Sequence, residues 1–363
     1  ARKIGGFLEY AGQLSIHDPP DIFGMHENAN IIFNRNETYF FLNTLLESQS
    51  GGDSLGEEAM AAMDKMCLEK IDSIRKAVAT SIEYDELHPS LLQRDAKNRI
   101  PSLTTVLIQE VDRFDRLLSI LHGSLRDLEK AIQGFVVMSE SLETIYRAFG
   151  NNQVPQAWHS KGYLSTKTLA SWVTDLQHRI EYVQNWCVNG LPVSSWVCGL
   201  FFPQSFLTGT LQTYARKHNI PIDTLRFDFE IMNVTLHQST IYEERSKKDS
   251  LQLFHNLNPP SDGVFIHGLF IEAGRWDHKE GGLCDARHRE LIAHLPVVWL
   301  KPCTDLTVGR RYEAPLYKTS VRAGVLSTTG QSTNFVLSVL LDSQLPSDYW
   351  ILRGTALVTL ITD

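Results

Sequence analysis

Phe227-Asp228-Phe229-Glu230-Ile231 decides the fold. Apolar and acidic residues alternate there with a period of two, which places Phe227, Phe229 and Ile231 on one face of a strand. Upstream of Leu225 the patterned segments repeat at three and four, the period of a helix. The switch lies just after Ile220-Pro221-Ile222, and it predicts an α+β chain with helices first and strands second.

Working back from the switch, the strongest helix runs from Leu103 to Ile132. Leu103, Val106, Leu107, Val111, Phe114, Leu117, Leu118, Leu121, Leu125, Leu128 and Ile132 form one apolar stripe. Arg113, Asp115, Arg116, Arg126, Asp127 and Lys130 lie off it. Pro101 suits the start, because its missing N–H costs nothing in a first turn. Gly123 is a possible kink and Gly134 the expected end. Core packing accounts for the stripe better than a coiled-coil partner does. Further helices are expected over Glu37–Leu46, Glu57 to about Thr80, Glu140–Phe149 after a Ser139 cap, Thr166–Val188 and Gln204–Lys217.

Forward of the switch, strands are expected at Val264–Ile271, Val297–Leu300, Leu316–Thr319, Asn334–Leu341 and Ile351–Thr362. Turn clusters such as Asn258-Pro259-Pro260-Ser261-Asp262-Gly263 and Leu345-Pro346-Ser347 separate them. About six short strands with no helix between them predict a small antiparallel β-barrel or sandwich. The resulting division is 1–97 helical, 98–224 helical, and 225–363 strands.

The chain has 363 residues, enough for two or three domains at about 100–200 residues each. Its net charge of −8 disfavours nucleic acid and anionic membranes as partners. No apolar run approaches the ~20 residues of a membrane-spanning helix. Five scattered cysteines fit a reduced protein better than a disulfide framework. The sequons at Asn36 and Asn233 matter only in a secreted chain. The chain starts at Ala1 rather than Met, as a piece of a longer polypeptide would.

Chemistry-bearing strings are few. Gly52-Asp53-Ser54-Leu55-Gly56 matches the G-x-S-x-G elbow of serine hydrolases. That chemistry needs a buried strand before the serine, and polar Glu47-Ser48-Gln49-Ser50 precede it instead, so an inter-helix loop is the better reading. No G-x-x-x-x-G-K-[ST] string exists to cradle phosphates, and neither Lys318-Thr319-Ser320 nor the hydroxyl-rich 326–333 stretch supplies one. Cys284, His288, His294 and Cys303 are zinc-ligand types, but no C-x2-C pair anchors them. Trp276-Asp277-His278 reads as a turn feature. Arg245, Lys247 and Lys248 beside Glu243 and Glu244 read as a solvated mixed-charge face. No catalytic, cofactor or metal residue is assigned.

Longer strings carry a family resemblance. Asp18-Pro19-Pro20-Asp21-Ile22-Phe23-Gly24-Met25-His26-Glu27-Asn28-Ala29-Asn30-Ile31, Lys130–Ser139, Phe202–Gln212, Pro260–Asp277 and Leu326–Phe335 resemble, in that order, strings of dynein heavy chains, the last two the axonemal members. Gln331 departs from the usual His, and Gly51–Lys97 matches least. The resemblance implies the small part of a sixth AAA+ module over 1–97. It also implies a C-terminal domain with a helical half, 98–224, and an incomplete β-barrel half, 225–363. The implied role is structural and regulatory: packing on the AAA+ ring of the same heavy chain and tuning motility, with nucleotide sites and microtubule-binding stalk upstream. The parent would be a minus-end-directed microtubule motor ATPase of the cytoplasmic cytoskeleton, in the axoneme of a cilium or flagellum, with other dynein chains as partners. Arg113, Arg116 and Arg126, off the buried face of the long helix, are the candidate ring contacts. The competing functions are a serine hydrolase built on Ser54 and a stand-alone partner-binding scaffold.

Overall fold

The leucine stripe becomes the spine of the molecule. In the computed structural model, residues 12, 18–50, 57–83, 86–232, 257–306, 309–322, 324–326 and 332–360 are described. Among them lie α1 (Asn28–Ser50), α2 (Glu57–Ala77), α3 (Pro89–Leu92), α4 (Ser102–Ile132), α5 (Glu140–Gly150), α6 (Gln156–His159), α7 (Leu169–Asn189), α8 (Pro203–His218) and, late, α9 (Ser347–Arg353). The expected helix over 103–132 is α4, unbroken through Gly123. Phe114, Leu117, Leu118, Leu121, Leu125 and Leu128 on it have no exposed surface. Around this face pack α2, α5, α6, α7 and α8.

Local chemistry explains the ends. Gly134 adopts a left-handed φ of 79°, and the N–H groups of Gly134 and Phe135 return to Ala131 O and Lys130 O at 3.1 and 2.9 Å. That is the paired bonding of a Schellman stop. Ser139 caps α5 by accepting the Leu142 N–H at 3.4 Å. Helix α8 meets α4 at Gly209. A Cβ there would stand 3.1 Å from Val106 Cγ2 and 3.2 Å from Leu103 Cδ2, so the bare Cα lets the two helices approach.

Strands begin in earnest where the period changes, at β2 (Arg226–Ile231), preceded by a two-residue β1 (Ser194–Ser195). Then follow β3 (Val264–Ile266), β4 (Phe270–Glu272), β5 (Arg275–Asp277), β6 (Gly282–Cys284), β7 (Ile292–His294), β8 (Val298–Cys303), β9 (Arg311–Tyr317), β10 (Phe335–Asp342) and β11 (Ala356–Val358). One sheet has the order β1-β3-β8-β2, a second β10-β9-β11-β4-β7, and β5-β6 form a hairpin.

Four expectations need correction. Among the described residues the strands form no closed antiparallel barrel: the sheets are open, β3 runs parallel to β1, and β11 runs parallel to β9. The strands are also more numerous than the expected six. The run Val264–Ile271 is two strands, because Gly268 at φ 84° turns the chain out of the first sheet and into the second. Its apolar residues on both faces reflect burial in two sheets. Finally, Ile351–Arg353 is helical. Pro346 precedes α9, Gly354 at φ 72° ends it, and the crossover delivers β11 between β9 and β4. Helix α1 is also longer than expected, 23 residues.

One apolar cluster runs from Cys67, Ile71 and Ile74 on α2, through the α4 stripe, to Ile266, Leu300, Leu316, Val339 and Leu357 in the strands. Helix α2 therefore shares a core with residues beyond position 97. Leu118→Ala is expected to destabilise the protein by about 2–5 kcal/mol, whereas exposed Arg126→Ala stays within about 0.5 kcal/mol. Urea denaturation followed by circular dichroism checks both values.

Candidate functional site

The buried face of α4 carries one carboxylate. Glu110 has no exposed surface. Its oxygens accept the N–H groups of Phe201 at 2.5 Å and Phe202 at 3.1 Å, and Arg113 donates to it at 2.9 Å. Phe202 is the residue before α8, so a side chain on α4 holds the backbone that leads into another helix. Burial pushes the Glu110 carboxyl above the usual carboxylate range, and the two N–H groups and Arg113 pull it back only in part.

This fixes the first of the three predicted arginines. Arg113 is half-buried, paired with Glu110, and lies 5.3 Å from the Phe202 ring centre. Arg116 and Arg126 are exposed and enter no ion pair among the described residues. With Gln109, Asp112, Ser119 and Lys130 they form the outer face of the helix. The structure thus separates one arginine that joins helices from two that face outward. Beyond the end of α4, Phe135 and Val137 are 77% and 87% exposed, held out by the Schellman stop.

Sequence reading missed a second joint. Arg179 and Asp175 on α7 are buried and paired at 2.6 Å. The guanidinium stacks 3.8 Å from the Tyr163 ring centre and 5.6 Å from that of Trp196. Burial pushes Asp175 up, but the charge and hydrogen bonds of Arg179 outweigh it and hold the carboxyl below its usual range. The signal was present as an i,i+4 Asp–Arg pair on the helix, but nothing marked it as buried.

The metal-ligand types are not brought together. His288 Nδ1 lies 2.6 Å from Glu27, and His294 packs edge-on to Phe270 at 4.8 Å. Among the described residues no group of three or more His, Cys, Asp or Glu could hold a metal. The five cysteines form no disulfide. Burial pushes the Cys67 and Cys187 thiols up to about 11. Asp277 accepts the N–H groups of Lys279 and Glu280, the turn expected at Trp276-Asp277-His278. A serine–histidine pair does occur at Ser194 and His267, 2.9 Å apart, but Ser194 is 2% exposed and bridges paired strands. Ser54, Gln331, Asn233, Arg245, Lys247 and Lys248 lie outside the described residues.

The model of the family described as the C-terminal domain of the dynein heavy chain matches residues 35–359. The protein belongs to that family. It is 45% identical to dynein axonemal heavy chain 6 of Homo sapiens over 367 aligned residues, covering 100% of the present sequence and 9% of that protein. Dynein axonemal heavy chain 1 of Rattus norvegicus is 39% identical, covering 98% of the present sequence and 7% of its own length. Dynein axonemal heavy chain 12 of the same organism is 37% identical, with 97% and 11% covered. This dynein C-terminal region therefore spans about a tenth of the length of the curated relatives it matches.

Asp175→Asn leaves Arg179 buried without a counter-charge. A loss of about 3–5 kcal/mol is expected at pH 7. Because the folded carboxyl titrates below its unfolded value, the pair's contribution is fully present above ~4 and is lost as pH falls through the folded value. The gap between variant and parent should therefore narrow on acidification, which urea melts at pH 7 and at progressively lower pH measure.

Proposed function

We propose that the protein is a non-catalytic structural and regulatory piece of an axonemal dynein motor, packing on the AAA+ ring of its own heavy chain and tuning motility. The whole heavy chain is then a minus-end-directed, microtubule-based ATPase located in the axoneme of a cilium or flagellum. In this reading residues 1–97 are the small part of the sixth AAA+ module, 98–224 the helical half of the C-terminal domain, and 225–363 its strand half.

The observation that carries the regulatory reading is the two-sidedness of α4. One face is packed into the core over the full helix, which ties the helix rigidly to that core. The opposite face offers Arg116 and Arg126 to solvent. A rigid element with free cations can contact different neighbours in different nucleotide states, and only such a difference biases a motor's equilibrium. Arg113 belongs to the same proposal, but its reversal would set a second negative charge against buried Glu110. The test therefore uses Arg116 and Arg126.

Arg116→Glu with Arg126→Glu, placed in the whole heavy chain, is expected to change gliding velocity or stall force by about twofold or more, the loss of an interaction near 0.5–1 kcal/mol. Nucleotide affinity at upstream sites should stay the same. Velocity and force both equal to the parent motor's, with the region still folded, would remove α4 as a regulatory contact.

A further inference from the structure

The string His26-Glu27-Asn28 takes no part in the joints of α4 and α7, yet its own contacts are specific. Asn28, 2% exposed, opens α1. Its amide nitrogen donates to Arg287 O and Glu290 O, each at 2.9 Å. Its amide oxygen accepts the Arg289 N–H at 2.8 Å. Three bonds converge on one planar group, so its position and orientation are both fixed. His26, also buried, accepts the Asn28 backbone N–H on Nδ1 at 3.1 Å. Outside, Glu27 meets His288 at 2.6 Å.

The receiving turn is itself constrained. Arg289 holds a φ of 66°, a left-handed conformation that a side chain disfavours. Asn28 takes the N–H that this conformation presents. The turn leads directly into β7, which pairs with β4 in the second sheet, Phe270 opposite His294. On the other side of the joint, Gly24 lies against Leu352 and Met25 against Gly354, at the end of α9. Helix α1 itself exposes Tyr39, Phe40, Phe41 and Leu42, an area of apolar surface that solvent alone does not favour.

We propose that His26, Glu27 and Asn28 are a clasp that passes displacement of α1 to the β4–β7 edge of the strand half. The proposal rests on reading the protein as part of a motor, in which neighbouring modules shift the helix as nucleotide state changes. The clasp is suited to this because its central bonds, those of Asn28, are polar, directional and buried, and it transmits or breaks where an apolar contact would slide.

The test is peptide-resolved hydrogen exchange on the whole heavy chain, with ADP and with ADP plus vanadate. In the parent, exchange over residues 30–45 and over 287–294 should change together between the two states. Asn28→Asp keeps the shape but turns two donors into an oxygen facing two carbonyls. Exchange over 287–294 should then rise at least tenfold and stop responding to nucleotide, while 30–45 still responds. Arg289→Gly keeps the N–H that Asn28 accepts and should retain the joint response. A parent without the joint response, an Asn28→Asp variant that keeps it, or a variant losing protection throughout α4 would each overturn the proposal. Gliding of the parent on microtubules is scored separately: a motor that moves without the joint response fails the clasp alone, and one that does not move fails the motor reading.

Discussion

A carboxylate with no access to water organises this protein. Burying Glu110 is costly unless its oxygens are satisfied, and the N–H groups of Phe201 and Phe202 satisfy them. Those donors lie on the two residues just before α8, outside its intrahelical bonds. One bond set therefore removes two penalties, and it fixes where α8 crosses α4. Gly209 then admits the close approach of the two helices. Helix α8 in turn packs against β8, at the centre of the first sheet. The placement of the strand half follows from a side chain on the long helix.

Polar joints of this kind recur wherever the molecule connects distant sequence. Arg179 and Asp175 are buried among Tyr163 and Trp196. Arg311 ties β9 to Asp228 on β2 at 2.5 Å and to Asp342 on β10 at 3.1 Å. Arg322 reaches buried Glu272 at 2.8 Å and Gly354 O. Asn28 ties the start of α1 to a turn some 260 residues later. Apolar burial supplies the bulk of the stability, but it is non-directional. The joints are directional, so they specify the relative placement of the elements they connect.

Helices were legible because their signals are local. The stripe from Leu103 to Ile132, the Ser139 cap and the Gly134 stop each act within a turn or two. The change of period at Phe227–Ile231 likewise places β2. Strand pairing was less legible, because it depends on contacts far apart in sequence. Nothing in Val264–Ile271 says that its two ends enter different sheets; only Gly268 marks the corner. Nothing near Ala356–Val358 announces that this strand inserts between β9 and β4. Of the three arginines, the sequence placed all on the polar side of α4. It could not separate Arg113 from the others, since Glu110, three residues before it, looks like any surface acid until Phe201 and Phe202 arrive. Long family strings pointed to the dynein resemblance where no short motif did, and the polar clasp at His26–Asn28 lies inside one of them.

Helices and strands share one apolar core through α4, and they should therefore unfold as one cooperative unit. Calorimetry of the folded protein tests it most directly, by comparing the measured unfolding enthalpy with the enthalpy inferred from the sharpness of the transition. Equality of the two, in a single transition, is the predicted result. Two separate transitions, one for the helical part and one for the strands, would contradict it.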